Sequence, residues 1–98
     1  MNVKQKKEGK VVTVYVSGQI DTNTSPELME YLNGVFPTAE DLVLDIAEVD
    51  YISSAGLRVI LFAQKTMNAK GSLKIANVNE DIMETFELTG FTDILDII

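Results

Sequence analysis

The chain contains neither cysteine nor histidine. Without cysteine there are no disulfides, thiolate zinc sites or thiol nucleophiles; without histidine the commonest general base and metal ligand is gone. Most hydrolase and metalloenzyme mechanisms are excluded with them, and the chain is not expected to be an enzyme. Basic residues are scarce as well. Eight Lys and Arg stand against 15 Asp and Glu, a net charge of −7, so the cationic face that displaces counterions from nucleic acid is lacking and no direct nucleic-acid binding is expected. Long apolar runs are absent too: the strongest, Val59-Ile60-Leu61-Phe62-Ala63, is far too short to span a bilayer, and the first thirty residues hold no signal-peptide core. These features lead to the expectation of a soluble, cytoplasmic protein with no membrane segment. In that setting the match of Asn23-Thr24-Ser25 to a glycosylation acceptor is accidental. No glycine-rich loop ending in Lys-Ser or Lys-Thr follows any strand, which excludes a P-loop.

What is present describes one domain over residues 1–98. Hydrophobic residues make up 46% of the chain, with only 6 Gly and 2 Pro. A chain of this size buries about 60 to 65% of its unfolded surface, so its core must draw on most of the available aliphatic residues and leaves little room for a cofactor cavity. No cofactor is expected. Charge is unevenly placed. Lys4, Lys6, Lys7 and Lys10 crowd the first ten residues against Glu8 alone, whereas residues 79–98 carry six acids and no base. The lysines suit a solvated edge strand protected against aggregation.

Short β-branched runs alternate with helix-period segments, the pattern of an α/β layer fold. Val3–Lys7 and Lys10–Gly18, joined at Glu8-Gly9, read as a hairpin. Its second strand, Val11–Val16, is apolar enough to be buried on both faces. Leu42–Ile46 and Ser72–Ala76 are further strands, with a short fifth over Ile94–Ile98. The expected sheet is mostly parallel, four- to five-stranded, with an antiparallel N-terminal edge and about three helices. The first helix opens at Thr24-Ser25-Pro26-Glu27, either as a capping box of Thr24 with Glu27 or with Ser25 as cap, presents Leu28, Leu32, Val35 and Phe36, and stops at Pro37. A second runs from Ser53 or Ser54 to about Asn68, with Gly71 as its end signal. Leu57, Val59, Ile60, Leu61, Phe62 and Met67 nearly encircle it, so it is either largely buried or leaves one apolar edge for a partner. A third, Glu80–Leu88, has Asn79 as cap, Gly90 as terminator and Ile82, Met83 and Phe86 turned inward.

The chemistry-bearing residues gather in two segments. Asp50-Tyr51-Ile52-Ser53-Ser54-Ala55-Gly56-Leu57-Arg58 lies between a buried strand and the most apolar helix, at a carboxyl end of the sheet where ligand and partner sites collect. Its hydroxyls are helix caps or phosphate acceptors; a phosphate there meets free N–H donors and the positive end of the helix dipole. Ser17–Thr24 follows the second strand, and parallel pairing would set it beside the serine loop. Asp21 there either closes an Asx-turn or binds a donor on a partner. Asp45 and Asp50 raise a magnesium site or an acceptor aspartate, but no third close carboxylate accompanies them, and no metal is expected.

Three segments together resemble the STAS family, the bacterial anti-sigma factor antagonists and their relatives. Ser17-Gly18-Gln19-Ile20-Asp21 with Thr24-Ser25-Pro26-Glu27-Leu28 resembles the family's Gly-x-Ile-Asp loop and first helix. Asp50–Leu57 resembles its phosphoserine loop, and Leu73–Val78 through Phe86–Phe91 its closing strand and helix. The likeness runs along essentially the whole chain. It implies a partner switch: the unphosphorylated protein binds an anti-sigma factor that is also a serine kinase, sigma factor is released, phosphorylation ends binding, and a serine phosphatase resets the system. Counted back from Gly56, Ser54 takes the phosphoacceptor position and Ala55 follows it. Ser53 stands where the family commonly has Asp, which removes a carboxylate and makes Ser53 the alternative acceptor. Asp21, Thr22, Asn23, Ser53, Ser54, Gly56, Leu57 and Arg58 are the expected partner-binding residues. Two rivals differ in mechanism. One is a non-switching STAS subunit of a signalling or lipid-transport assembly; the other is a receiver-like protein phosphorylated on Asp45 or Asp50, although Val16-Ser17-Gly18 stands where a receiver has its acidic pair. A weak homodimer through the second helix or a sheet edge is compatible with the sequence, but nothing specifies it.

Overall fold

The computed structural model describes residues 1–98. Two strands, β1 (Asn2–Glu8) and β2 (Val11–Ile20), form the expected hairpin around Gly9, whose φ of 63° suits a residue without Cβ. Then follow α1 (Ser25–Val35), β3 (Asp41–Ile52), α2 (Ser54–Asn68), β4 (Ser72–Ala76), α3 (Glu80–Thr89) and β5 (Asp96–Ile97), with single 3₁₀ turns at Phe36–Thr38 and Phe91–Asp93. The sheet order is β1-β2-β3-β4-β5; β1 is antiparallel to β2 and every other pair is parallel.

That order decides where the core lies. Each crossover moves one strand over in the same direction, and right-handed crossovers of this kind place all their helices on one face. The other face stays open. Along β2, Val12, Val14 and Val16 are buried, while Val11 and Tyr15 keep 40% and 41% of their surface. The expectation that this strand is covered on both sides is therefore corrected: β-branched residues also occupy its solvent face. β3 shows the same alternation, with Leu42, Leu44 and Ile46 inside. From the helical layer come Leu28, Leu32 and Val35 of α1, Leu57, Val59, Ile60, Ala63 and Met67 of α2, and Ile82 and Phe86 of α3. Phe91 stacks on Phe86 with ring centroids 6.2 Å apart. Met83 is only half-buried.

Two boundaries differ instructively. β3 has twelve residues and reaches Ile52, well beyond Ile46. Its pairing with β2 shifts register between Tyr15 and Ser17 and again between Gly18 and Gln19, so inward positions fall at Ile46, Val49 and Ile52 and the two-residue rhythm is lost. β5 is confined to Asp96–Ile97, with Ile94 on the surface. Gly71 also has a different role from the one expected. Ala69 is the C-cap of α2, and a Cβ on Gly71 would stand 1.7 Å from the Glu40 carbonyl oxygen. This glycine lets two chain segments touch. Gly90 is the left-handed terminator of α3, at φ 80°.

Candidate functional site

Adjacent parallel strands deliver the two chemistry-bearing segments to one end of the sheet. Gln19 pairs with Tyr51 and Ile20 with Ile52, and the Ser53 N–H then donates to the Ile20 carbonyl at 2.8 Å. β2 thus extends to Ile20 and β3 to Ile52, so Asp50, Tyr51 and Ile52 belong to a strand, and Ser53 alone connects it to α2.

The two serines are separated by their geometry. Ser53 has extended backbone and is the N-cap of α2; its Oγ accepts from the Gly56 N–H at 3.2 Å, and its carbonyl accepts from the Leu57 N–H at 2.9 Å. Ser54 occupies the first helical position, is exposed, and its hydroxyl is engaged by no other group. Behind them Gly56 is wedged against the strand ends: a Cβ there would lie 2.8 Å from Ile20 Cγ2, 2.9 Å from the Ile20 carbonyl oxygen and 3.0 Å from Ile52 Cγ2. Gly56 and Leu57, expected on the partner surface, are buried, Leu57 keeping 8% of its surface. Their part is to hold the start of α2 against the sheet. Arg58 is exposed one turn beyond Ser54, and further along that helix Phe62 keeps 46% of its surface beside Phe36. The apolar residues around α2 therefore do leave an edge in solvent.

In the neighbouring loop, Thr22 and Asn23 are exposed at the crest of a turn closed by Asp21. Asp21 Oδ1 accepts from the Asn23 N–H at 2.9 Å and the Thr24 N–H at 3.0 Å. These bonds hold the carboxyl below its ordinary range, the Thr24 N–H contributing most. The capping box of Thr24 with Glu27 does not form. Thr24 Oγ1 instead accepts from the Asp21 N–H at 2.8 Å and donates to the Gln19 carbonyl at 2.7 Å, which knits the turn to the end of β2.

Asp45 and Asp50 are not brought into this loop pair in the same way. Asp45 accepts from the Ala47 N–H at 3.0 Å and from Asn77 Nδ2 at 2.8 Å, and Asp50 is exposed within β3. Tyr51, absent from the expected site, keeps 52% of its surface beside Gln19. No helix is long and apolar enough to cross a membrane.

The family model described as the STAS domain matches residues 2–98. The chain is similar to an anti-sigma-B factor antagonist of Bacillus subtilis strain 168, with 34% identity over 98 residues covering 99% of this chain and 90% of that one. Among solved structures it is similar in fold to an anti-sigma factor antagonist from Mycobacterium paratuberculosis, at 22% identity and a TM-score of 0.90, with 98% of this chain and 83% of that chain covered. It is also similar in fold to the Bacillus cell fate determinant SpoIIAA in its phosphorylated form, at 11% identity and a TM-score of 0.77, with 99% and 91% covered. With a family match over nearly the whole chain and a relative sharing a third of its residues, the chain belongs to the STAS domain family.

Proposed function

We propose that this protein is an anti-sigma factor antagonist that works by partner switching, a regulatory ligand and kinase substrate with no catalysis of its own. The observation that carries the reading is the division of labour between the serines: Ser53 is committed to capping α2, while the Ser54 hydroxyl is exposed and uncommitted beside the Asp21 turn. In the unmodified state the surface of half-buried Asp21 and exposed Thr22, Asn23, Ser54 and Arg58 binds an anti-sigma factor that is also a serine kinase, and sigma factor is released. That kinase brings ATP and magnesium. A bond forms between Ser54 Oγ and the γ-phosphorus, the bond from that phosphorus to the β,γ-bridging oxygen breaks, ADP leaves, and the hydroxyl proton passes to a base of the kinase or to solvent. The phosphate then faces the N–H groups of Ser54 and Ala55, which have no intrahelical acceptor, so the fold accommodates a charge that the interface does not. A serine phosphatase hydrolyses the ester and restores binding.

The deciding experiment combines phosphopeptide mapping with binding. Incubation with the cognate kinase and ATP is expected to add one phosphate, on Ser54. Ser54→Ala should bind the kinase as the parent does without being labelled, and Ser54→Asp should bind about tenfold more weakly or worse. Stoichiometric labelling of Ser54→Ala would transfer the role to Ser53. A chain that stays unmodified in growing and stressed cells alike, and in lysate with ATP, would sink the switch in favour of a constitutive subunit of a larger assembly.

A further inference from the structure

We infer that Arg58 is the intramolecular partner of phosphorylated Ser54, free to meet an acidic group on the binding partner in the unmodified state and folded back onto the phosphate afterwards. The inference rests on the reading of Ser54 as phosphoacceptor and assigns the regulation of that site to a second residue. Arg58 is the chain's sole arginine. It lies four residues after Ser54 on α2, and residues at this spacing are neighbours on one helix face with Cβ atoms about 6 Å apart. Helical side chains also lean toward the N-terminus, which carries the long arginine stem back over the turn that holds Ser54. Both residues are exposed, while Gly56 and Leu57 between them are buried.

Nothing else in the protein claims the guanidinium. The two ion pairs present, Lys6 with Glu8 and Lys10 with Glu40, are elsewhere, and Arg58 makes no side-chain hydrogen bond. Asp21, the acid of the adjoining loop, has its Oδ1 turned onto its own loop by the Asn23 and Thr24 N–H groups. The residue preceding Ser54 is the neutral cap Ser53, so no carboxylate stands next in sequence to repel the phosphate. A phosphate on Ser54 Oγ brings up to two negative charges and three acceptor oxygens, and a guanidinium binds such a group through two parallel N–H bonds. Phosphorylation therefore acts twice on the surface: it adds negative charge and withdraws the one positive side chain of the segment Asp50–Arg58.

The test uses the full chain with phosphoserine incorporated at position 54 during synthesis, so that no kinase is needed, alongside the same phosphoprotein carrying Arg58→Gln. In a ³¹P NMR titration at low salt, the second phosphate ionisation of the parent should lie about 0.3 pH unit below that of Arg58→Gln. The difference should shrink in 1 M salt, and the Arg58 Nε–H resonance should move on phosphorylation. Superimposable titrations with an unmoved Arg58 resonance would overturn the pairing. In the unmodified chain, Arg58→Gln should weaken kinase binding severalfold, and in the phosphorylated chain it should change binding little; equal losses in both states would overturn the alternation between partner and phosphate. The kinase labelling described above is a separate arm. If neither serine is labelled, the switch reading fails whatever the synthetic phosphoprotein shows; if Ser53 alone is labelled, the switch stands and the pairing of Arg58 with position 54 falls.

Discussion

Ser53 and Ser54 are chemically identical and differ by one backbone position, yet that position assigns one to stability and the other to the surface. The Ser53 hydroxyl satisfies an N–H that the helix itself leaves unpaired, so Ser53→Ala should cost about 1 kcal/mol in urea denaturation. Ser54→Ala, touching no such bond, should fall within about 0.5 kcal/mol of the parent. Asp21 provides a pH signature. Its folded carboxyl titrates below its ordinary range because the charged form accepts from Thr24 and Asn23 N–H groups, so its stabilising effect is complete above the unfolded value near 4 and is lost as pH falls through the folded value. Carbon-detected NMR should place the Asp21 midpoint below that of ordinary exposed aspartates, and Asp21→Asn should flatten its share of the acid limb of the stability curve. The Asx-turn at Asp21 was readable from residue type. The failed Thr24–Glu27 capping box was not, because the Thr24 hydroxyl is taken by Asp21 and Gln19, groups that approach it only once β2 and the turn have formed.

Among the elements, α2 is the one whose seating the site depends on, and glycines at both ends of it make that seating possible. Gly56→Ala would press a methyl against Ile20 and Ile52 and should cost about 1–3 kcal/mol; Gly71→Ala, which meets the Glu40 carbonyl directly, should cost about 3 kcal/mol or more. Denaturant midpoints measure both. If Gly56→Ala proved neutral, the close approach of α2 to β2 would be wrong. Helix starts and stops were legible where a local signal suffices: Asn79 caps α3 by accepting from the Ile82 N–H, and Gly90 ends it in the left-handed region. Gly71 carried the same residue-level signal with a different cause, which only the facing strand reveals. The length of β3 was hidden for a related reason, since two register shifts against β2 break the alternation that marks a strand.

At the scale of the molecule, one covered face and one open face follow from the strand order, and they predict a gradient of local stability. Amide hydrogen exchange should be slowest for the inward residues of the central strands, such as Val12, Val14, Leu42, Leu44 and Ile75, and fast for the two-residue strand β5. A β5 as protected as β3 would contradict this picture. Phe86, fully buried under the helical layer and stacked on Phe91, is the large side chain that ties α3 to the core, and Phe86→Ala should cost about 3–5 kcal/mol.

By itself the sequence determined the succession of strands and helices, the parallel sheet with its lysine-rich edge, the family resemblance and the two segments that meet at the site. Each of these rests on near neighbours in the chain: periodicity, turn residues, caps and contiguous motifs. Tertiary structure alone decided which serine is spent on the helix, that Gly56 and Leu57 face inward, that Thr24 serves the Asp21 turn, and that the sheet keeps one face in solvent. The Ser53 and Thr24 bonds join near neighbours whose backbone geometry is set only once the strands are in place, and the seating of Gly56 and Leu57 depends on groups distant in sequence, chiefly the strand ends Ile20 and Ile52, which become neighbours only after β2 and β3 have paired.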